Sequence, residues 1–452
     1  MEKETLIQKY NVAGPRYTSY PTVPYWEADS FSPIKWQKAI REKFSANREE
    51  ISLYIHLPYC ESLCTFCGCN TRITVNHKVE TPYIETVLRE WDLYLSMMDV
   101  RPVIKEIHLG GGTPTFFSPE NLKKLINGIT SRAKVAHHAE FGFEGHPNNT
   151  TKEHLQTLYD LGFRRVSFGI QDFDSKVQQV INRVQPFEKV QEVTDNARAI
   201  GYTSINYDIV YGLPLQTLDS IVDTVNKVSL LKPDRIAFYS YAHVPWLKPG
   251  QRKFTEFDLP EDSVKRNLYE TGLQMLENLG YYEIGMDHFA LKSDGLFQAV
   301  ENKTLHRNFM GYTTTTTSAC IGLGVSSISD IWGAFSQNAK TVEEYKAIVQ
   351  QGQIPVFRGH FLTNEDLVIR QHILNIMCRF ETSWFDAGMQ TPALFRGIDN
   401  LYELEIDGLI EIGLNDLTVT EKGRPFVRNI CMALDARMYD ASHQEAKFSK
   451  VI

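Results

Sequence analysis

Several features are missing from this chain, and each absence closes a class of function. No apolar run approaches 18 residues, so the sequence predicts no membrane-spanning helix. Basic residues are not in excess. Lysine and arginine number 47 against 55 aspartates and glutamates, a net charge of −8, which removes the electrostatic basis for a phosphate-coated partner and predicts no nucleic-acid binding. The opening Met1-Glu2-Lys3-Glu4 has no basic segment leading into an apolar stretch, which predicts no secretory signal. Cysteine is scarce at seven residues. Cys320, Cys378 and Cys431 stand far apart in apolar surroundings, as core residues do rather than disulfide partners. A reducing, cytoplasmic setting is expected. No catalytic dyad or triad stands out. What remains is an ordinary globular composition, 42% hydrophobic and 23% charged over 452 residues, enough for a large core and two domains.

The other four cysteines are bunched. Cys60-Glu61-Ser62-Leu63-Cys64-Thr65-Phe66-Cys67-Gly68-Cys69 packs them into one short loop. Spacings this tight leave no room for an ordinary disulfide staple, and thiolates gathered so closely usually share metal. Two readings stand at this point. Structural zinc sites usually pair two separated knuckles, and no second Cys-x-x-Cys or His knuckle appears. Cys-x3-Cys-x2-Cys also supplies three ligands for a four-iron cubane, leaving one iron free for another ligand.

Around this loop the chain alternates. Residues 51–58 read as a strand rich in apolar and aromatic residues, ended by Pro58. A helix is expected over 82–97. A second strand, 104–109, runs into Gly110-Gly111-Gly112-Thr113-Pro114, and Ser118 with Pro119 then opens a helix. Further strands are expected near 139–144, 165–170, 204–210 and 235–241. Six strands alternating with helices predict an α/β fold with a parallel sheet; a flat doubly wound sheet and a curved partial barrel fit this pattern equally. Chemistry in such sheets gathers at the C-terminal strand ends. Those ends carry the cysteine loop, the triple glycine, Glu144, Gln171-Asp172, Asp208 and Ala242-His243. Residues 14–24 are too proline-rich for the interior of a helix or sheet. Residues 321–328 are expected to form a strand or turn that rejoins the sheet. Helices are expected over 341–351 and 364–379. A helix near 399–406, a hairpin over 408–420 and a helix over 424–434 resemble a winged-helix element; basic residues do not dominate it, which favours a structural lid.

Cys60-x3-Cys64-x2-Cys67 is the signature of the radical SAM superfamily. With Cys69 added, the chain resembles the oxygen-independent coproporphyrinogen III dehydrogenases of haem biosynthesis over nearly its full length. That resemblance implies a partial TIM-like (β/α)6 barrel over 41–285. An N-terminal arm over 1–40, carrying Arg16-Tyr17-Thr18-Ser19-Tyr20-Pro21, lies near the active-site mouth. A mainly helical C-terminal domain with the winged-helix-like element spans 286–452. The resemblance implies one 4Fe–4S cluster on Cys60, Cys64 and Cys67 and two molecules of S-adenosylmethionine. Tyr54, Gly111, Glu144 and Ile328 match contacts to the first, cluster-bound molecule. Phe66, Gly112, Thr113, Gln171, Arg183, Asp208 and Ala242 match contacts to the second; without the resemblance, Arg183 reads as a surface salt bridge. Cys69 matches the family's fourth cysteine, which is not a cluster ligand and is read as an active-site residue near the substrate. His56 matches the motif too, although a packed strand histidine fits equally.

The implied reaction is oxidative decarboxylation through a 5'-deoxyadenosyl radical. Two propionates of coproporphyrinogen III become vinyl groups, giving protoporphyrinogen IX. A flavodoxin or ferredoxin would donate electrons, and the enzyme would act as a monomer. Two segments depart from the family pattern. Glu144-Gly145-His146-Pro147 stands where Glu-Val-Asp-Pro is common. Met310, followed by threonines at 313–317, stands where glutamine can occur. These departures bear on the substrate rather than on the radical chemistry. The rivals are a haem-binding chaperone of the same superfamily, which lacks both Cys69 and the arm, and an enzyme acting on another tetrapyrrole.

Overall fold

The computed structural model describes residues 3–438 except 27, 29 and 46–48, together with residue 448. The expected strands are present: β1 Glu50–Leu57, β2 Val103–Gly111, β3 Lys134–Gly145, β4 Phe163–Gln171, β5 Ser204–Tyr211 and β6 Arg235–Ser240. Each pairs in parallel with the next. Their mixed burial on both faces reflects helices outside and a filled interior. The helix Glu80–Leu95 turns Tyr83, Ile84, Val87, Trp91 and Tyr94 into the core. Ser118 caps the helix Pro119–Thr130 by accepting from the Asn121 amide, with Pro119 in its first turn.

The sheet does not stop at six strands. β7 Tyr282–Gly285 and β8 His288–Ala290 fold back as an antiparallel pair on β6. On the other side β9 Ala319–Leu323 adds a seventh parallel strand next to β1. β10 Ile328–Asp330, β11 Ala334–Asn338 and β12 Val356–Phe361 then continue antiparallel. The order across the sheet is β12-β11-β10-β9-β1-β2-β3-β4-β5-β6-β8-β7, with the two outer strands unpaired to each other. Side chains from β2 through β6 and from β8 line one interior cavity, so the sheet curls around it without closing. Strands on both sides of residue 285 belong to this one sheet.

Thr313 and Thr315 are buried, and the threonine run contributes side chains to the interior at the end of the barrel away from the cysteines. Thr313 donates to Glu106 at 3.0 Å, Thr314 donates to Glu140, and Thr317 lies 3.0 Å from the Ser52 hydroxyl. A second core joins the helix Asn364–Arg379, the three-stranded sheet Glu381–Ser383, Ile410–Ile412 and Asp416–Val419, and the helix Val427–Leu434. Leu6, Tyr10, Tyr17 and Tyr20 of the N-terminal segment are buried in that core. This segment contains more regular structure than its prolines imply: Lys3–Tyr10 and Pro33–Lys43 are helices, and Trp36 and Ile40 are fully buried in the barrel core.

Candidate active site

The cysteine loop leaves the end of β1 and is closed at its base, where the Arg72 amide donates to the Pro58 carbonyl at 2.8 Å and the Thr74 amide to the Cys60 carbonyl at 2.9 Å. Its crest is tied down by three hydrogen bonds. The Thr65 amide donates to Ile181 O at 2.9 Å, Asn182 donates to Leu63 O at 2.8 Å, and Gln251 donates to Phe66 O at 3.1 Å. His56 Nε2–H donates to the Asn70 carbonyl at 2.8 Å, which leaves Nδ1 to accept from the Tyr54 hydroxyl at 3.1 Å. Burial holds His56 below the usual histidine range, so it is a neutral strut between strand and loop.

The glycine turn at the end of β2 packs against this loop. The Gly112 amide donates to Leu57 O at 2.8 Å and the Thr113 amide to Tyr59 O at 3.0 Å. A Cβ on Gly112 would lie 2.5 Å from the Pro58 carbonyl oxygen, and Gly111 has φ +120°. Only glycine fits here. Glu144 reaches the turn from β3, accepting from the Gly111 amide at 3.2 Å and lying 3.3 Å from His108 Nε2.

One cavity brings most of the expected residues together. Cys60, Cys64, Phe66, Cys67, Cys69, Gly111, Gly112, Thr113, Glu144, Gln171, Arg183 and Asp208 line it, and it shares Glu144, Ser167 and Asp208 with the wall of the deeper barrel cavity. Tyr54, Ala242 and Ile328 are not in its wall. Tyr54 stands behind it, hydrogen-bonded to His56 and stacked 6.1 Å from the His108 ring. The Ala242 carbonyl accepts from Gln251, the same side chain that holds Phe66. Ile328 opens β10 and packs its backbone against Gly322. Asp172, next to Gln171, faces the helical layer, where it binds Gln216 and Thr224.

Ser167 and Gly169, which carry no motif of their own, also line the wall, as does His146 of the departing turn after Glu144. The alternation of β4, which turns Ser167, Gly169 and Gln171 to one face, is the signal that could have found the first two. Gln171 takes φ +69°, a left-handed conformation uncommon outside glycine and frequent at functional strand ends. Arg183 Nη2 donates to Gly169 O at 2.6 Å, Nη1 lies 3.5 Å from Cys64 Sγ, and the buried Nε has no protein partner. No carboxylate pairs with it among the described residues, contrary to a simple surface salt bridge. Burial, and after it the charge of Arg183, lower His146 to about 3. Burial pushes Asp208 up to about 6, with Glu144 adding to the rise, against hydrogen bonds from Ser167 at 3.0 Å and Asn206 at 2.8 Å.

The four thiols are free of disulfides. A hydrogen bond from Cys69, foremost, lowers Cys67 to about 6, while that same interaction raises Cys69; burial pushes Cys60 up to about 11. Among the described residues no three His, Cys, Asp or Glu side chains converge as ligands of one ion do. Three cysteines that each hold a different iron of a cubane need no such convergence. The donor set, the Cβ-free turn and the orphaned Arg183 Nε all suit a thiolate-held cluster beside a polar ligand with a carboxylate. No helix among the described residues is long and apolar enough to cross a membrane.

The chain matches the Radical SAM superfamily over residues 54–228. It is 37% identical over 454 residues to the oxygen-independent coproporphyrinogen III oxidase of Pseudomonas aeruginosa, covering 99% of this chain and 98% of that protein. The Escherichia coli protein of the same name is 36% identical, with 99% and 98% covered. The solved structure of coproporphyrinogen III oxidase from Escherichia coli, described as a radical SAM enzyme, superposes with a TM-score of 0.88 at 33% identity, over 96% of this chain and 98% of that one. The cysteine signature, the curled parallel sheet and this full-length likeness agree, and the chain belongs to the oxygen-independent coproporphyrinogen III oxidase family of radical SAM proteins.

Proposed function

We propose that this protein converts coproporphyrinogen III to protoporphyrinogen IX in haem biosynthesis without oxygen, by oxidative decarboxylation of two propionates to vinyl groups. The observation that carries this reading is the meeting of the cysteine loop, the glycine turn and Cys69 in one cavity of a chain alike to its relatives from end to end. Cys60, Cys64 and Cys67 hold a 4Fe–4S cluster. When bound, cluster and S-adenosylmethionine together supply one-electron chemistry that abstracts a hydrogen atom. Each propionate then loses that hydrogen atom, carbon dioxide and one further electron to an acceptor. No acid–base pair is required.

The chain's own residues position and shield. Gly111 gives close backbone approach for a first S-adenosylmethionine, with Glu144 accepting from its amino group and Tyr54 and Ile328 behind. A second molecule would meet Phe66, Gly112, Thr113, Gln171 and Ala242, with Asp208 accepting from ribose hydroxyls and Arg183 pairing with a carboxylate. Phe66 and Leu63 exclude water from the loop side. Cys69 sits by the substrate. A flavodoxin or ferredoxin supplies the electron.

Anaerobic turnover with S-adenosylmethionine, a reductant and coproporphyrinogen III tests the reading. Protoporphyrin and 5'-deoxyadenosine formed together support it. Deoxyadenosine without protoporphyrin, even with electron acceptors added, rejects this substrate.

A further inference from the structure

Three cations gather where the cysteine loop ends. Lys248 follows β6, and its Nζ donates to the Cys69 carbonyl at 3.2 Å. Lys340 follows β11, and its carbonyl accepts from the side chain of Asn70 at 3.0 Å. Arg358 lies on β12 and donates to Gln337 at 2.7 Å. Lys340 Nζ and Arg358 Cζ share one aromatic ring, 5.5 Å and 5.4 Å from the centroid of Phe357. β6 and β11–β12 belong to opposite flanks of the open sheet, so Cys69-Asn70 bridges the gap and the cations edge it from both sides.

Like charges are not normally collected at one rim without a counter-charge. Arg72, on the same loop, is matched by Glu343 at 3.0 Å. Lys248, Lys340 and Arg358 form no ion pair among the described residues. Burial foremost, then the charges of Arg358 and Lys248, hold Lys340 below the usual lysine range. Beside Lys248, Trp246 and Leu247 are 60% and 66% exposed. Cys69 itself lines the cavity. The rim is therefore apolar and cationic at once, and what complements it is a flat apolar ring bearing several carboxylates.

We infer that Lys248, Lys340 and Arg358 form a carboxylate subsite at the barrel mouth, which holds those propionates of the tetrapyrrole that are not reacting and so turns the reacting one toward the cavity. This rests on the proposed substrate. A cationic surface could also receive an acidic electron-transfer protein. The placement favours the substrate, because the cations ring the mouth at Cys69 from two flanks instead of forming one face.

The test uses full-length reconstituted enzyme carrying Lys248→Ala with Lys340→Ala, and separately Lys340→Arg. With dithionite as reductant, the double variant should raise KM for coproporphyrinogen III by roughly tenfold or more, with a smaller effect on kcat, while Lys340→Arg, which keeps the charge, should retain the wild-type KM. Binding of oxidised coproporphyrin III, read by fluorescence without turnover, should weaken by a similar factor. Unchanged KM and unchanged coproporphyrin binding overturn the subsite. A defect seen only when flavodoxin replaces dithionite also overturns it and assigns the rim to the donor. If the wild type fails to turn over coproporphyrinogen III, the proposed reaction falls, while coproporphyrin binding by wild type and variant still decides the rim.

Discussion

The Trp26 indole stacks on the Phe335 ring with centroids 5.0 Å apart and planes 13° from parallel. Phe335 is on β11. Ten residues earlier Arg16 lies 5.9 Å from the Tyr239 ring of β6, donates to Ser240 O at 3.2 Å and pairs with Asp287 at 3.2 Å. The N-terminal segment therefore crosses the gap between the two flanks of the open sheet. Arg428 fastens it from outside by donating to Pro15 O at 2.8 Å, and Tyr17 donates to Asp435 at 3.0 Å.

This strap predicts a separable phenotype. Trp26→Ala should leave the barrel folded and the iron content intact, because the stack lies outside the cysteine loop. Residues 10–26 should become sensitive to protease, and turnover should fall by roughly ten- to a hundredfold through loss of positioning and water exclusion. Limited proteolysis with an iron assay checks this; a variant with wild-type protection and wild-type turnover would refute the strap.

The cysteines should divide by role. Cys60→Ser, Cys64→Ser and Cys67→Ser should each lose most of the iron and sulfide, since three thiolates are the minimum for the proposed cluster. Cys69→Ser should keep both and lose turnover. Iron, sulfide and product measured on all four variants check the division, and equal cluster loss in Cys69→Ser would end the assignment.

Much of this was legible in the sequence because it is local. Strand periodicity, Ser118-Pro119 and the cysteine spacing each depend on a few neighbouring residues. The extra strands β7–β12 were harder to see. Several are only three to five residues long, and β8 and β9 are placed by partners far away in sequence, β6 and β1. Arg183 shows the same limit for the site. Composition makes it a surface salt bridge, but folding aims it at Gly169 O and Cys64, and only the resemblance pointed there. The threonine run, read as a change near the substrate, is seen to hydrogen-bond Glu106 and Glu140 in the barrel interior. Met310, Tyr312 and Thr313, the first residue of the run, line the deep cavity.

Gly112→Ala should fail for a steric reason. Its Cβ would meet backbone, the carbonyls of Pro58 and Tyr59, rather than a movable side chain. The turn must shift away from the cysteine loop, at a cost of roughly 1–3 kcal/mol. A lower midpoint in chemical denaturation and weaker S-adenosylmethionine binding are expected together. Gly333→Ala, where a Cβ meets nothing within 4 Å, should alter neither.

Asp208 gives the pH dependence. Burial, with Glu144 second, raises it to about 6, above an ordinary aspartate. In its proposed role the ionised carboxylate accepts from ribose hydroxyls, so S-adenosylmethionine affinity should improve as pH rises through about 6 and level off above 7. Stability runs the other way. Between about 4 and 6 the folded protein keeps a proton that the unfolded chain has lost, so this group's stabilisation is complete below about 4 and is lost as pH rises through 6. Asp208→Asn removes both effects: binding should be weaker at pH 8 by roughly tenfold and flat from pH 5.5 to 8, while the denaturation midpoint at pH 8 should equal or exceed that of the wild type. Titration calorimetry across that range decides it, since a wild-type affinity independent of pH would mean that Asp208 does not touch the ligand.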